Sequence, residues 1–195
     1  TAPFSSRCSL VGLEVEGFCA LRERVQLDLD KRGLVLIRGA VGNGKTALVD
    51  AITWCLTDRT SPRRAGSATA TFRGDELIND HCQSCSVTVR IRLADDREVV
   101  VTRAKARGKG AQLSVTGITG LEVGVAKDDH AALVARLVGL DHDLWRSCVS
   151  LGQGTVANFV TDADKRRKDQ LAVAFGLTAC PEAVAFVRSR LKPLR

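Results

Sequence analysis

One stretch has residue types and spacing suited to chemistry: Gly39-Ala-Val-Gly-Asn-Gly-Lys-Thr46. It fits G-x-x-x-x-G-K-[ST] at every fixed position. Gly39, Gly42 and Gly44 let the backbone curl at φ > 0 and bring N–H groups close to an anion. Lys45 can reach the β- and γ-phosphates of a nucleotide as a point charge. The Thr46 hydroxyl can ligate Mg²⁺. Val41 and Asn43 within the stretch, and Ala47 just after it, are further positions whose backbone would line the phosphates.

Such a loop needs a strand before it and a helix after it. Gly33-Leu-Val-Leu-Ile-Arg38 is a short apolar run, suited to a buried strand. Leu48, Ala51, Ile52, Cys55 and Leu56 recur at helical spacing, so a helix is predicted to about Leu56. Its N-terminus would aim a partial positive charge at the phosphates. A chance glycine-rich turn would lack these flanks.

The elements around the loop read as follows. Cys8–Val15 and Arg24–Leu29 are predicted strands; the second alternates, as a half-buried antiparallel strand does. The segment from about Thr57 to Asp75 has no periodicity and is expected to be a mobile surface loop. Ser86–Leu93 and Glu98–Arg103 form a hairpin about Asp95-Asp96. Arg107–Gly110 is a second turn, with short strands near Leu113–Val115 and Leu121–Val125. Helices are predicted over Asp128–Gly139, around Asp143–Cys148, from a capping box at Thr161–Asp164 to Phe175, and over Pro181–Lys192.

Composition bounds the rest. The chain has 195 residues, 45% apolar, enough for a sizeable core in one domain, 1–195. Its aromatic content is 4%, so aliphatic residues must supply most of the core. A net charge of +7 suggests an anionic partner beyond one nucleotide. No apolar run reaches membrane-span length and no signal peptide is visible, so no membrane partner is expected. Seven scattered cysteines beside a nucleotide motif favour a reducing, cytoplasmic setting. The chain starts at Thr1 without Met, as after initiator removal or excision from a longer protein.

An ATPase with this loop normally needs an apolar strand ending in Asp, usually followed by Glu. Glu98-Val-Val-Val-Thr-Arg103 ends otherwise, and no later apolar run supplies one. Ser150-Leu-Gly-Gln-Gly154 resembles a signature loop, but only helical patterns follow it. Gln153 has two readings: a loop side chain that reaches Mg²⁺ or attacking water, or an ordinary turn glutamine.

The order of features is similar to that of a known family. Cys8–Phe18 leads through Leu27-Asp-Leu29 to Leu34–Ile52, and far downstream come Leu151-Gly-Gln-Gly-Thr-Val-Ala-Asn-Phe159 and Lys165-Arg-Arg-Lys168. This resembles the N-terminal ATPase lobe of the SMC-like DNA-repair proteins: bacterial SbcC, its counterpart Rad-fifty, and the related phage recombination exonuclease subunits. The resemblance implies an α/β, P-loop NTPase fold. That fold is an ABC-type head N-lobe with an antiparallel β subdomain and a mixed sheet around the P-loop helix. It implies that ATP and Mg²⁺ bind at Gly39–Ala47, with Lys45 and Thr46 as phosphate and Mg²⁺ residues. It also implies that Gln153, in a Q-loop at about 150–155, assists catalysis and the metal. A C-lobe, reached through a coiled coil beyond the final helix (181–192), would carry the signature and acidic strand. Two heads would close on ATP, control a nuclease subunit of the SbcD type, and hold DNA without sequence preference. A cytoplasmic location follows, nucleoid-associated in a prokaryote or phage.

The chain departs from the family pattern at Cys19, where an Arg is common; Arg22 is a candidate stand-in. His81-Cys-Gln-Ser-Cys85 contains C-x-x-C but offers too few ligands on loop and strand flanks, so no stoichiometric zinc is expected. Lys165–Lys168 with Arg103, Lys105, Arg107 and Lys109 reads either as a solvated face or as a phosphate-binding patch. Besides the repair-ATPase lobe, the sequence admits a stand-alone nucleotide-binding switch without turnover. A plain P-loop kinase fits less well, for want of a lid pattern or acceptor base.

Overall fold

The structure, a computed structural model, describes residues 8–30, 33–60, 74–93 and 95–117, and beyond them Val134, Trp145, Val149, Ser150, residues 163–165, Arg167 and Lys168. Backbone contacts part the chain into two compact units, Thr1–Gly139 and Leu140–Arg195.

The first unit is built on a five-stranded antiparallel sheet. Its strands are β1 (Ser9–Glu16), β2 (Val25–Asp28), β3 (Ser84–Arg92), β4 (Glu98–Ala106) and β5 (Gln112–Thr116), in the order β2-β1-β3-β4-β5. The period-two alternation sets which face is buried. Val87, Val89 and Ile91 of β3 face inward beside Val99 and Val101 of β4, with Val89 opposite Val101 and Ile91 opposite Val99. The hairpin turn is closed by Leu93 N–H donating to the Arg97 carbonyl at 2.8 Å, with Asp96 in the left-handed region at φ 63°. On the outer face the Thr88 and Thr102 hydroxyls pair at 3.0 Å.

Helix α1 (Lys45–Thr57) lies on the inner face, packed across β1, β3 and β4. Ala51, Trp54 and Cys55 on it are buried, and the Trp54 ring meets Phe18 at 5.3 Å between centroids. The helix ends at Asp58, left-handed at φ 59°, whose N–H donates to the Trp54 carbonyl at 2.9 Å. That is a C-terminal cap normally left to glycine.

The expected strand over Gly33–Arg38 does not form. Residues 34–40 have no regular structure, and Leu34 and Leu36 are 93% and 71% exposed. The physical reason is that no described strand runs beside them. The single described sheet, antiparallel throughout, is made of β1 to β5 alone.

The predicted strands at 8–15, 24–29, 86–93, 98–103 and 113–115 match β1 to β5 within a few residues. Most of the expected mobile loop (61–73), the strand at 121–125 and the last helix lie outside the described residues. In the second unit, Ser150 N–H donates to the Trp145 carbonyl at 2.8 Å, and Arg167 N–H to the Ala163 carbonyl at 3.1 Å with an Asp164–Arg167 ion pair. Asp164, Lys165, Arg167 and Lys168 are helical, as expected for the helix that follows the capping box.

Candidate nucleotide-binding site

The loop before α1 has the backbone that its glycines allow. Gly42 and Gly44 sit at φ 89° and 77°. Asn43 N–H donates to the Ala40 carbonyl at 3.3 Å, and Leu48 N–H to the Gly44 carbonyl at 3.1 Å, opening the helix. Gly44 is its N-cap, and no side chain caps it. No acidic residue lies in the first turn. The amides there, which have no partner within a helix, thus keep their positive end un-neutralised.

Lys45 folds back into the loop. Its Nζ donates to the carbonyls of Gly39 at 2.8 Å and Ala40 at 2.7 Å. The ammonium is thus held over the loop mouth by weakly basic acceptors, which an anion can replace. Val41 and Asn43 are exposed, and so is Thr46 on the first turn; Ala47 is buried. The residues fit a bound nucleotide phosphate: helix amides without an intrahelical partner, two left-handed glycines, a lysine ammonium held at the loop by carbonyls alone, and an exposed hydroxyl. They also fit a single protein hydroxyl on Mg²⁺, from Thr46. Gln153 lies outside the described residues.

The loop is buttressed by the segment around Cys19, where the resemblance expects a residue near the nucleotide. A Cβ on Gly44 would lie 2.7 Å from Leu21 Cδ2 and 3.6 Å from the Ala20 Cβ. The Phe18–Leu21 turn therefore leans on the phosphate loop. Cys19, on this turn, is left-handed at φ 48°.

Of the two readings of the basic residues, the phosphate patch fails at Arg103, Lys105 and Arg107. Arg103 and Lys105 face inward, 5% and 9% exposed. Arg103 Nε donates to the Cys55 carbonyl at 3.0 Å, and its Nη1 pairs with Asp58 at 2.9 Å. Lys105 pairs with Asp75 at 3.1 Å and donates to the Lys109 carbonyl. Arg107 donates to the carbonyls of Cys82 and Asn79 at 3.0 and 3.1 Å. These cations hold the fold together. Lys109, Lys165 and Lys168 remain exposed.

Cys85 is buried on the inner face of β3, whereas Cys82 is half-buried in the preceding turn. Among the described residues no group of three or more His, Cys, Asp or Glu is placed to hold a metal ion. Burial pushes the Cys55 thiol up to about 12 and the Cys85 thiol up to about 11. Both stay protonated in the fold at pH 8. Peptide mapping after alkylation at that pH is expected to find Cys82 modified and Cys55 and Cys85 protected. Since burial raises both values above the ordinary 9.0, their contribution to stability is full below pH 9. It is lost as pH rises toward about 11 for Cys85 and about 12 for Cys55. Alkylation of all three cysteines alike would contradict this burial.

Comparison with known proteins places this site in a family. A family model described as an AAA domain matches residues 13–179, from β1 past the described helix of the second unit. The chain belongs to the AAA domain family. Among curated proteins it is similar to the SbcC component of nuclease SbcCD from Deinococcus radiodurans, 29% identical over 190 residues, covering 94% of this chain and 20% of that protein. It is also similar to the SbcC component of nuclease SbcCD from Clostridium acetobutylicum, 26% identical over 83% of this chain and 14% of that protein. The chromosome partition protein Smc of Fusobacterium nucleatum is 23% identical over 86% of this chain and 14% of its own length. The chain thus spans about a fifth or less of these relatives. A solved structure of the recombination mediator RecF with ATP is 21% identical over 58% of this chain and 29% of that one, at a TM-score of 0.47. With its phosphate loop opening α1 against the sheet, this chain is similar to the N-lobe of an SMC-like, ABC-type ATPase head.

Among the described residues of the AAA domain no helix is long and apolar enough to cross a membrane.

Proposed function

We propose that this chain is the ATP–Mg²⁺-binding N-lobe of an SMC-like ATPase head that acts in DNA repair or recombination. With a C-lobe and a second head it hydrolyses ATP, and that cycle controls DNA binding and a partner nuclease. One observation carries the reading: the apolar run that enters the phosphate loop, Leu34–Ile37, is exposed. Leaving Leu34 and Leu36, the most exposed of the run, in water forgoes up to roughly 1.5–3 kcal/mol each. A strand from a second lobe laid beside this run would bury it and pair its backbone. The same strand is the natural carrier of the acid that the sequence lacks.

On this reading Lys45 exchanges its carbonyl partners for β- and γ-phosphate oxygens, and the uncapped α1 amides bind the same anion. Thr46 holds the metal ion through its hydroxyl. Gln153 positions water or the ion from the Q-loop. Bound Mg²⁺ supplies charge neutralisation at the phosphates. DNA contacts are to phosphates and without sequence preference, through exposed cations such as Lys109, Lys165 and Lys168. They therefore weaken steeply with salt. The similarity to the SbcC component of nuclease SbcCD supports the nuclease partner, and the similarity to Smc supports pairing of heads. A cytoplasmic location is consistent with these relatives.

The test is reconstitution. The chain is combined with the C-lobe segment of its parent or neighbouring gene, and ATP turnover is measured with each part alone and together.

A further inference from the structure

We propose that Asn79 is a positioning residue for the phosphate loop, acting through Cys19 and Leu21. The proposal rests on the nucleotide-binding reading for its functional consequence, but its geometry stands alone. Asn79 joins three segments that are distant in sequence. Its N–H donates to the Gly17 carbonyl at 2.8 Å, and its side-chain Nδ2 donates to the Cys19 carbonyl at 2.6 Å. Its Oδ1 accepts from His81 N–H at 3.1 Å. Its carbonyl accepts from Cys82 N–H at 2.9 Å and from Arg107 Nη2 at 3.1 Å. Arg107 thus ties the turn after β4 into the same knot.

What the knot holds is a strained turn. Cys19 sits at φ 48°, a conformation that a residue with a Cβ adopts only when its surroundings impose it. Two hydrogen bonds impose it: Cys19 N–H to the Leu77 carbonyl at 2.8 Å, and Asn79 Nδ2 to the Cys19 carbonyl. The turn is closed by Leu21 N–H to the Phe18 carbonyl at 2.8 Å. Leu21, 8% exposed, then meets Gly44, which both caps α1 and precedes Lys45. Phe18, fully buried, meets Trp54 on the same helix. The turn therefore touches α1 at its start and near its end. Without the Asn79 side chain, Cys19 is released toward ordinary backbone conformations, and Leu21 leaves Gly44.

The backbone bonds of Asn79 survive substitution of its side chain, so the effect is local. Asn79→Ala removes the Nδ2 donor. Asn79→Asp keeps the acceptor for His81 N–H but sets an oxygen against the Cys19 carbonyl. Hydrogen exchange in the whole chain reads the result without any nucleotide. In both variants the Leu21 and Leu48 amides are expected to exchange about tenfold faster, equivalent to about 1.4 kcal/mol. The Val87, Val89 and Val101 amides should be unchanged. Adding Cys19→Gly to Asn79→Ala should return the two rates to within about threefold of the parent, because glycine needs no restraint at φ > 0. ATP–Mg²⁺ affinity by calorimetry should fall about tenfold in Asn79→Ala and recover in the double variant. Unchanged Leu21 and Leu48 exchange would overturn the proposal. So would a loss shared by all strands, or one that Cys19→Gly leaves in place. A parent chain that binds no ATP–Mg²⁺ while the exchange pattern holds would sink the nucleotide reading and leave the positioning role standing.

Discussion

Lys45→Ala is expected to lower ATP–Mg²⁺ affinity by about a hundredfold or more while leaving the fold intact. The affinity loss follows from charge. A hydrogen bond to an ionised group contributes about 1.5–3 kcal/mol, and Lys45 can form such bonds with both the β- and γ-phosphates. About 2.7 kcal/mol corresponds to a hundredfold. The intact fold follows from where the side chain now sits. Its bonds to the Gly39 and Ala40 carbonyls are exposed, so water can replace the ammonium at both. The helix start also does not depend on it, since Gly44 opens α1 through its own carbonyl to Leu48. Calorimetric titration with ATP–Mg²⁺ measures the first effect and thermal melting the second. Retained affinity in Lys45→Ala would remove the lysine from the site.

The largest loss of stability is expected at a residue far from any phosphate. Arg103→Ala should cost about 3 kcal/mol. The guanidinium is buried and meets three features at the end of α1: the Cys55 carbonyl, Asp58 and, 5.8 Å from its centroid, the face of the Trp54 ring. Removing it leaves a helix carbonyl without its donor and a cavity against Trp54. Asp58 itself is largely exposed and can turn to water, which keeps the estimate below the upper range for broken buried pairs. In a chain of this length about 3 kcal/mol lowers the melting temperature by roughly 6–12 °C. Arg103→Lys should recover little, because one ammonium cannot reproduce the fork that bonds Cys55 and Asp58 together. Melting of the two variants tests this; an Arg103→Ala chain that melts with the parent would show that α1 is not pinned there.

The hairpin of β3 and β4 was legible because Val87, Val89, Ile91, Val99 and Val101 alternate without a break. The phosphate loop was legible because its glycines, lysine and threonine have fixed spacing. Two errors show where such reading stops. Leu34–Ile37 reads as a buried strand because an apolar run says what should be buried and not whether a neighbour is present to bury it. Arg103 and Lys105 read as surface charge by residue type alone. The alternation that turns Val99 and Val101 inward also turns positions 103 and 105 inward, so that signal was present and outweighed by charge. Asn79 was illegible for another reason. Its five hydrogen bonds involve Gly17, Cys19, His81, Cys82 and Arg107, and only folding brings the first two and the last to it. The Asn-Asp pair at 79–80 marks a turn at most. The site's dependence on Leu21 was hidden likewise, since nothing in Phe18–Leu21 announces contact with Gly44.

On the reading proposed above, this chain holds the phosphate grip of a head whose acid lies on another segment. ATP turnover of the chain, with and without the C-lobe, tests it most directly. The chain alone should turn over ATP negligibly, and turnover should appear when the C-lobe is added. Within the rebuilt head, Lys45→Ala should abolish turnover, and Gln153→Ala should slow it on the order of a hundredfold. Robust hydrolysis by the chain alone, abolished by Lys45→Ala, would contradict the account, because the catalytic acid would then lie within these residues.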